Sequence, residues 1–74
     1  MRTRYLTGNV TAKRQTDKAL LCSLDWQEDH DVVASDLWIP LSVIHSSDHD
    51  TIEEAHDNEV IEISVAAWWV EQNF

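Results

Sequence analysis

The chain has 74 residues, a net charge of −9 and a single cysteine, Cys22. This length has room for one small acidic domain, over residues 1–74, and one cysteine excludes an intramolecular disulfide and the paired cysteines of structural zinc sites. The sequence holds no run of roughly 20 apolar residues and opens without the apolar stretch of a signal peptide, so we expect a cytoplasmic protein.

Basic and acidic residues are separated along the chain. All five lysines and arginines lie within the first 18 residues, whereas residues 19–74 carry 13 of the 14 carboxylates. A surface of one sign attracts basic partners and repels nucleic acid, so we predict a basic partner protein and no direct binding to nucleic acid or to a membrane. The alternative is that the acidity serves only solubility.

The spacing of apolar residues predicts four strands. Side chains alternate between apolar and polar in the first of them, and Pro40 ends the third, because proline has no N–H to donate to a ladder. A polar turn over residues 14–17 joins the first two strands. The predicted strands cover residues 5–13, 18–24, 37–40 and 60–63.

Two acidic connections, residues 25–36 and 45–59, are predicted to be loops, because they are too polar and too charged for paired strands. Within the second connection, Thr51 and Glu54 have the spacing of a capping box. That spacing predicts a short helical turn over residues 52–56.

A final helix is predicted from Val65 to about Gln72, with Ser64 as its N-cap. Its apolar side chains span an arc of roughly 200°, which is too wide for one buried face, so we expect Trp68 or the Val70 edge to meet solvent, a second copy or a partner. The predicted fold class is therefore α+β or mainly β, a small antiparallel sheet or barrel of four to five strands with a short C-terminal helix.

Three segments in succession resemble a known group of proteins. They are TDKALL (16–21), LWIPLSVI (37–44) and IEISVAAW (61–68). Together they resemble short phage and bacterial proteins of uncharacterised function, which implies a small β-barrel closed by a C-terminal helix and implies no activity. The two acidic connections depart from that group's compact form, and loops on a rigid scaffold commonly carry binding.

Patterns typical of catalysis or metal binding are weak. Serine and histidine occur only in polar stretches, without a nucleophile elbow or a phosphate-binding glycine loop. His45 and His49 have the spacing of two ligands on one helix, but the residues between them indicate a loop, and the spacing of a calcium loop is absent. We predict no enzymatic activity, no metal and no cofactor.

The four tryptophans are predicted to divide into two pairs. Trp38 and Trp69 are expected in the core, whereas Trp26 and Trp68 are expected to anchor an interface, because tryptophan is enriched at binding hot spots. A base-stacking platform for single-stranded nucleic acid is disfavoured by the charge.

The leading hypothesis is a phage-type inhibitor that presents carboxylates to the basic groove of a nucleic-acid-handling host protein. DNA mimics, including anti-CRISPR and anti-restriction proteins, are similar in size and acidity. Aspartates two apart space their carboxylates about 6.6 Å along an extended chain, as a stand-in for phosphates. The hypothesis requires both acidic connections to converge on one patch, away from the basic residues. The candidate partner-binding residues are Trp26, Glu28, Asp29, Asp31, Asp36, Asp48, Asp50, Glu53, Glu54 and Trp68.

Two other hypotheses use apolar contacts. In one, the final helix makes a homodimer, and the module works as a structural protein or adaptor. In the other, a partner protein binds an apolar hot spot around Trp26 and Trp68, and charge only steers its approach.

Overall fold

The structure is a computed structural model that describes residues 3–74. Met1 and Arg2, one of the five basic residues, lie outside the described residues. The elements are β1 (Tyr5–Gln15), β2 (Ala19–Trp26), β3 (Val32–Pro40), two 3₁₀ turns (Leu41–Val43 and Ser46–Asp48), α1 (His49–Glu54), β4 (Glu59–Ala66) and α2 (Ala67–Asn73).

The four strands form one antiparallel sheet in the order β3-β2-β1-β4. The predicted four-stranded antiparallel sheet with a short C-terminal helix is confirmed. β3 and β4 lie at opposite edges and the sheet is not closed, so the alternative of a barrel is not confirmed.

One face of the sheet is buried. Successive side chains of a strand point to opposite faces, and the inward set of β2 is Leu20, Cys22, Leu24 and Trp26. Residues from the turns and helices complete this core: Val43, Ile44, Ile52 and Val70. The other face, which we call the open face, carries no helix among residues 3–74 and includes Thr11, Leu21, Ser23, Asp25, Val33, Trp38, Val60 and Glu62.

The first acidic connection is shorter than predicted. β2 continues to Trp26 and β3 begins at Val32, so only residues 27–31 connect them. The hairpin pairs Trp26 with Val32 and buries both side chains, while the backbone N–H of His30 donates to the carbonyl of Trp26 at 2.8 Å. Burial of the inward side chains stabilises these strands although their outward positions are polar. The acidic composition of residues 25–36 predicted a loop instead.

The second connection and the final helix also differ from prediction. α1 covers residues 49–54, so Thr51 lies inside the helix and the capping box does not form. β4 continues to Ala66 and α2 begins at Ala67 without a side-chain cap. Ser64 is a strand residue because its backbone and hydroxyl pair with neighbouring segments rather than with the next turn.

β1 and β3 each contain a bulge opposite β2. The pairing of β1 shifts by one residue at Lys13, and β3 places Ser35 and Asp36 opposite Ser23 alone. Asp36 has a φ of 53°, a left-handed conformation that aspartate tolerates. The amine of Lys13 donates to a carboxylate oxygen of Asp36 at 2.7 Å. Because the core fills the other face at Cys22, this salt bridge crosses β2 on the open face.

Cys22 predicts a loss of stability at alkaline pH. Burial raises the pKa of its thiol from 9.0 to about 11, against the opposing charge of Lys13. The unfolded chain therefore loses this proton first as the pH rises, and the free energy of unfolding should fall by up to about 3 kcal/mol from pH 9 through pH 11. Denaturant titrations of the wild type and Cys22→Ala measure the effect. An equal loss in both proteins would contradict it.

Candidate binding surfaces

The predicted acidic site residues form two separate groups. Glu28, Asp29 and Asp31 lie exposed in the turn between β2 and β3, and we call them the turn cluster. The turn cluster lies at the end of the sheet where β1 begins, because β2 runs antiparallel to β1. The second group, which we call the helix cluster, consists of the exposed carboxylates of α1: Asp50, Glu53 and Glu54.

The helix cluster lies near the opposite end of the sheet. The side-chain amide of Gln15, the last residue of β1, donates to the carbonyl of Glu53 at 3.0 Å. A strand of eight residues separates the two ends by roughly 26 Å. The expectation that both acidic connections converge on one patch is wrong, because antiparallel pairing places their exposed residues at opposite ends of the strands.

The basic residues do not stay apart from the carboxylates. Within the described part of the chain, ion pairs form at two places: Lys13 with Asp36, and Arg4 with Glu71. Arg14 lines a small cavity together with His56 and Asp57, near the end of the sheet that carries Glu53. Asp36, a predicted partner contact, therefore already has a cation at hydrogen-bonding distance.

Asp48 protects the edge of the sheet. Its carboxylate accepts a hydrogen bond from the backbone N–H of Ser64 at 2.9 Å, while the backbone N–H of His45 donates to the carbonyl of Ser64 at 2.9 Å. Ser64 lies on the edge strand β4, where backbone groups would otherwise face solvent. Asp48 is half-buried and engaged, so its position favours a role in the fold over contact with a partner.

Trp26 lies in the core rather than on the surface. Its side chain is 5% exposed, and its indole N–H donates to the carbonyl of Asn9 at 2.8 Å. The ring lies against Gly8, and the ring of His30 packs edge-on at 5.8 Å. The expectation of an exposed anchor is wrong, because the inward register of β2 directs the indole into the sheet's buried face.

The other three tryptophans are divided between surface and core. Trp38 is 44% exposed, so its predicted place in the core is wrong. Trp69 packs against the core as a half-buried residue, and Trp68 on α2 is 51% exposed, as the width of the apolar arc predicted. Adjacent strand residues point to opposite faces, so Trp38 and Ile39 cannot both face the core. The structure buries Ile39 and therefore exposes Trp38.

The open face carries exposed apolar side chains that sequence reasoning missed. Val33, Trp38 and Val60 are each exposed on it, and half-buried Leu21 lies directly opposite Trp38 in the register of β2 and β3. The alternation along β3 and β4 is the only sequence signal for these side chains. Assigning residues 25–36 to a loop removes that signal before Leu37.

Across residues 3–74, no group of three or more His, Cys, Asp or Glu side chains is arranged to hold a metal ion. No helix in the same range has the length and apolarity to cross a bilayer. Comparison with models of protein families, with curated proteins and with solved structures gave no match.

Proposed function

We propose that this chain is a non-enzymatic, acidic protein-binding domain that occupies a basic, nucleic-acid-binding surface of a host protein. In its finer form the proposal is a phage-type inhibitor that mimics DNA in the host cytoplasm, as anti-CRISPR and anti-restriction proteins do. Because the two acidic connections do not converge on one patch, this form no longer uses both of them and requires the contact to be made by one cluster of carboxylates. The observation that carries it is the surplus of exposed carboxylates. Of the 14 in the chain, only Asp36 and Glu71 form ion pairs within the described residues.

The density of charge supports mimicry of a nucleic acid strand. The net charge is −9, and the longest dimension of the Cα trace is 30 Å. One strand of DNA carries a charge every 3.4 Å, so a strand of this length carries about nine. The whole molecule thus carries a charge comparable to that of a DNA strand of the same length, with its carboxylates divided between the two ends of the sheet.

The turn cluster is the better candidate for the contact. Among residues 3–74, Arg4 is the basic residue at the end of the sheet that carries the turn cluster, and it is paired with Glu71. At the other end Arg14 and Lys18 are exposed near the helix cluster and reduce its field. Electrostatic attraction is therefore expected to be strongest at the turn between β2 and β3.

The proposal is tested by capture from a bacterial host lysate on the immobilised full chain, with duplex DNA as competitor. We expect nucleic-acid-binding proteins that DNA displaces and that bind more weakly as ionic strength rises. Asp29→Asn/Asp31→Asn should weaken capture more than Glu53→Gln/Glu54→Gln, which removes the same charge from the other end. Capture of no nucleic-acid-binding protein, or an affinity that ignores ionic strength, would sink the proposal.

A second candidate is a homodimeric adaptor that binds through an apolar, tryptophan-containing surface. Trp68 and the terminal Phe74, each 51% exposed, favour it. Sedimentation velocity over a range of concentrations distinguishes the two candidates. A protein that remains monomeric at every concentration rules out the dimer.

A further inference from the structure

The two edges of the sheet differ in what covers them. On β4, residues 45–48 cover the backbone of Ser64, and Glu59 and Glu62 are exposed carboxylates further along the strand. On β3, no backbone hydrogen bond among residues 3–74 joins Val32–Pro40 to any segment other than β2. We call this outer side of β3 the β3 edge. Unpaired N–H and C=O groups along such an edge form a template for another strand.

The β3 edge is apolar on both faces of the sheet. Val33 and Trp38 are 57% and 44% exposed on the open face. Ala34 and Leu37 point toward the core and are only half-buried. The turns and helices thus leave the middle of β3 partly uncovered on the core side as well. A long apolar edge of this kind favours pairing with another strand.

The charge on this edge is neutralised. Asp36 is the only charged residue of β3, and its carboxylate accepts a hydrogen bond from the amine of Lys13 at 2.7 Å. Natural sheets commonly prevent edge pairing with charged side chains and with bulges. Here the charge is paired within the chain, and the bulge at Ser35 and Asp36 interrupts only the middle of the strand. The segments on either side of the bulge remain available for pairing.

We propose that the β3 edge pairs antiparallel with the same edge of a second copy of the chain, about a twofold axis that joins the two sheets into one. The strand is complementary to itself in this arrangement. When Val33 faces Trp38 of the second copy, both side chains lie on the open face. Ala34 then faces Leu37 of the second copy on the core side, because the bulge adds the one residue that makes the faces match. Aromatic and β-branched side chains form a favourable cross-strand pair, and a twofold axis makes each contact twice.

The antiparallel arrangement also separates like charges. Arg14 lies opposite Leu21, in the same row of the open face as Trp38. Asp25 lies opposite Val33, at the other end of that face. Pairing Val33 with Trp38 of the second copy therefore places the acidic end of one copy beside the basic end of the other. Each copy still carries −9, so the two repel as wholes, and higher ionic strength should tighten the dimer.

The first test is sedimentation velocity of the full chain at several concentrations, at low and at high ionic strength. We expect a monomer–dimer equilibrium that shifts toward dimer as salt is added. Trp38→Glu should raise the dissociation constant of the dimer by about tenfold or more, because the change occurs twice in the interface. Trp68→Glu is the matched control, since it adds the same charge at a similarly exposed tryptophan on α2, and should change the constant by less than about threefold.

The second test is a nuclear Overhauser measurement on a mixture of ¹³C-labelled and unlabelled wild-type chains. We expect a signal between the methyl groups of Val33 in a labelled copy and the ring of Trp38 in an unlabelled copy. Within one chain these side chains lie roughly 15 Å apart along β3, so the signal arises only between copies. This measurement uses no substitution and therefore holds even if Trp38→Glu fails to fold.

The outcomes separate this inference from the proposed function, on which it does not depend. A chain that stays monomeric at high salt, or a dimer without the signal between Val33 and Trp38, would overturn the inference. A dimer that Trp68→Glu dissociates and Trp38→Glu does not would also overturn it and place the contact on α2. Capture of a nucleic-acid-binding protein is measured separately and weakens with salt, which is the opposite of the dependence expected for the dimer.

Discussion

Trp26→Ala should lower the free energy of unfolding by about 3–5 kcal/mol, the range for a large aromatic side chain removed from a core. The indole is 5% exposed and donates to the carbonyl of Asn9. Its loss leaves a cavity beneath β1 and removes the hydrogen-bond partner of that carbonyl. A chain of 74 residues has a total stability of about 4–11 kcal/mol, so the variant should be largely unfolded or close to it.

Urea denaturation followed by circular dichroism measures this loss, and Trp68→Ala is the matched control. Trp68 is 51% exposed, so the same substitution on α2 should change stability by less than about 1 kcal/mol. If Trp26→Ala kept full stability but lost a binding partner, the indole would be a surface anchor, and its place in the core would be refuted.

Gly8→Ala should be destabilising by about 1–3 kcal/mol, because overpacking forces neighbouring groups to move. An ideal Cβ on Gly8 would lie 2.5 Å from Nε1 and 2.6 Å from Cε2 of Trp26. Both are atoms of a rigid ring whose N–H is held by the backbone of Asn9, so the ring cannot move aside without losing that hydrogen bond. The chain's single glycine is explained by this close approach.

A double-mutant cycle tests the cause of that cost. In a Trp26→Leu background the added methyl group of Gly8→Ala meets a smaller and more flexible side chain, so its cost should fall by at least half. Equal costs in the two backgrounds, measured by denaturant titration, would show that the glycine matters for another reason.

The burial of Trp26 changes how the acidic turn can act. A hairpin whose base packs the indole and the ring of His30 holds Glu28, Asp29 and Asp31 on a short connection rather than on a long mobile loop. Carboxylates held on a short turn lose less conformational entropy when a basic partner binds. The tryptophan predicted to touch a partner thus supports the residues that are proposed to do so.

Strand prediction succeeded where one face is buried and the alternation is clean, as in β1. It failed at residues 25–36, where the outward positions of a hairpin are acidic and the composition is that of a loop. It also ended β4 too early, since Ser64 looks like an N-cap from its neighbours alone. The backbone partners that keep Ser64 in the strand, Thr7 and His45, are distant in sequence.

The sequence by itself determined the total charge, its uneven distribution along the chain, the four strands and the final helix, because composition and local periodicity carry that information. Only the tertiary structure decided where the carboxylates lie and which tryptophans are exposed. Strand order and register set both, and these depend on pairings between residues far apart in the chain. The same pairings separate the turn and helix clusters, bury Trp26 and expose Trp38.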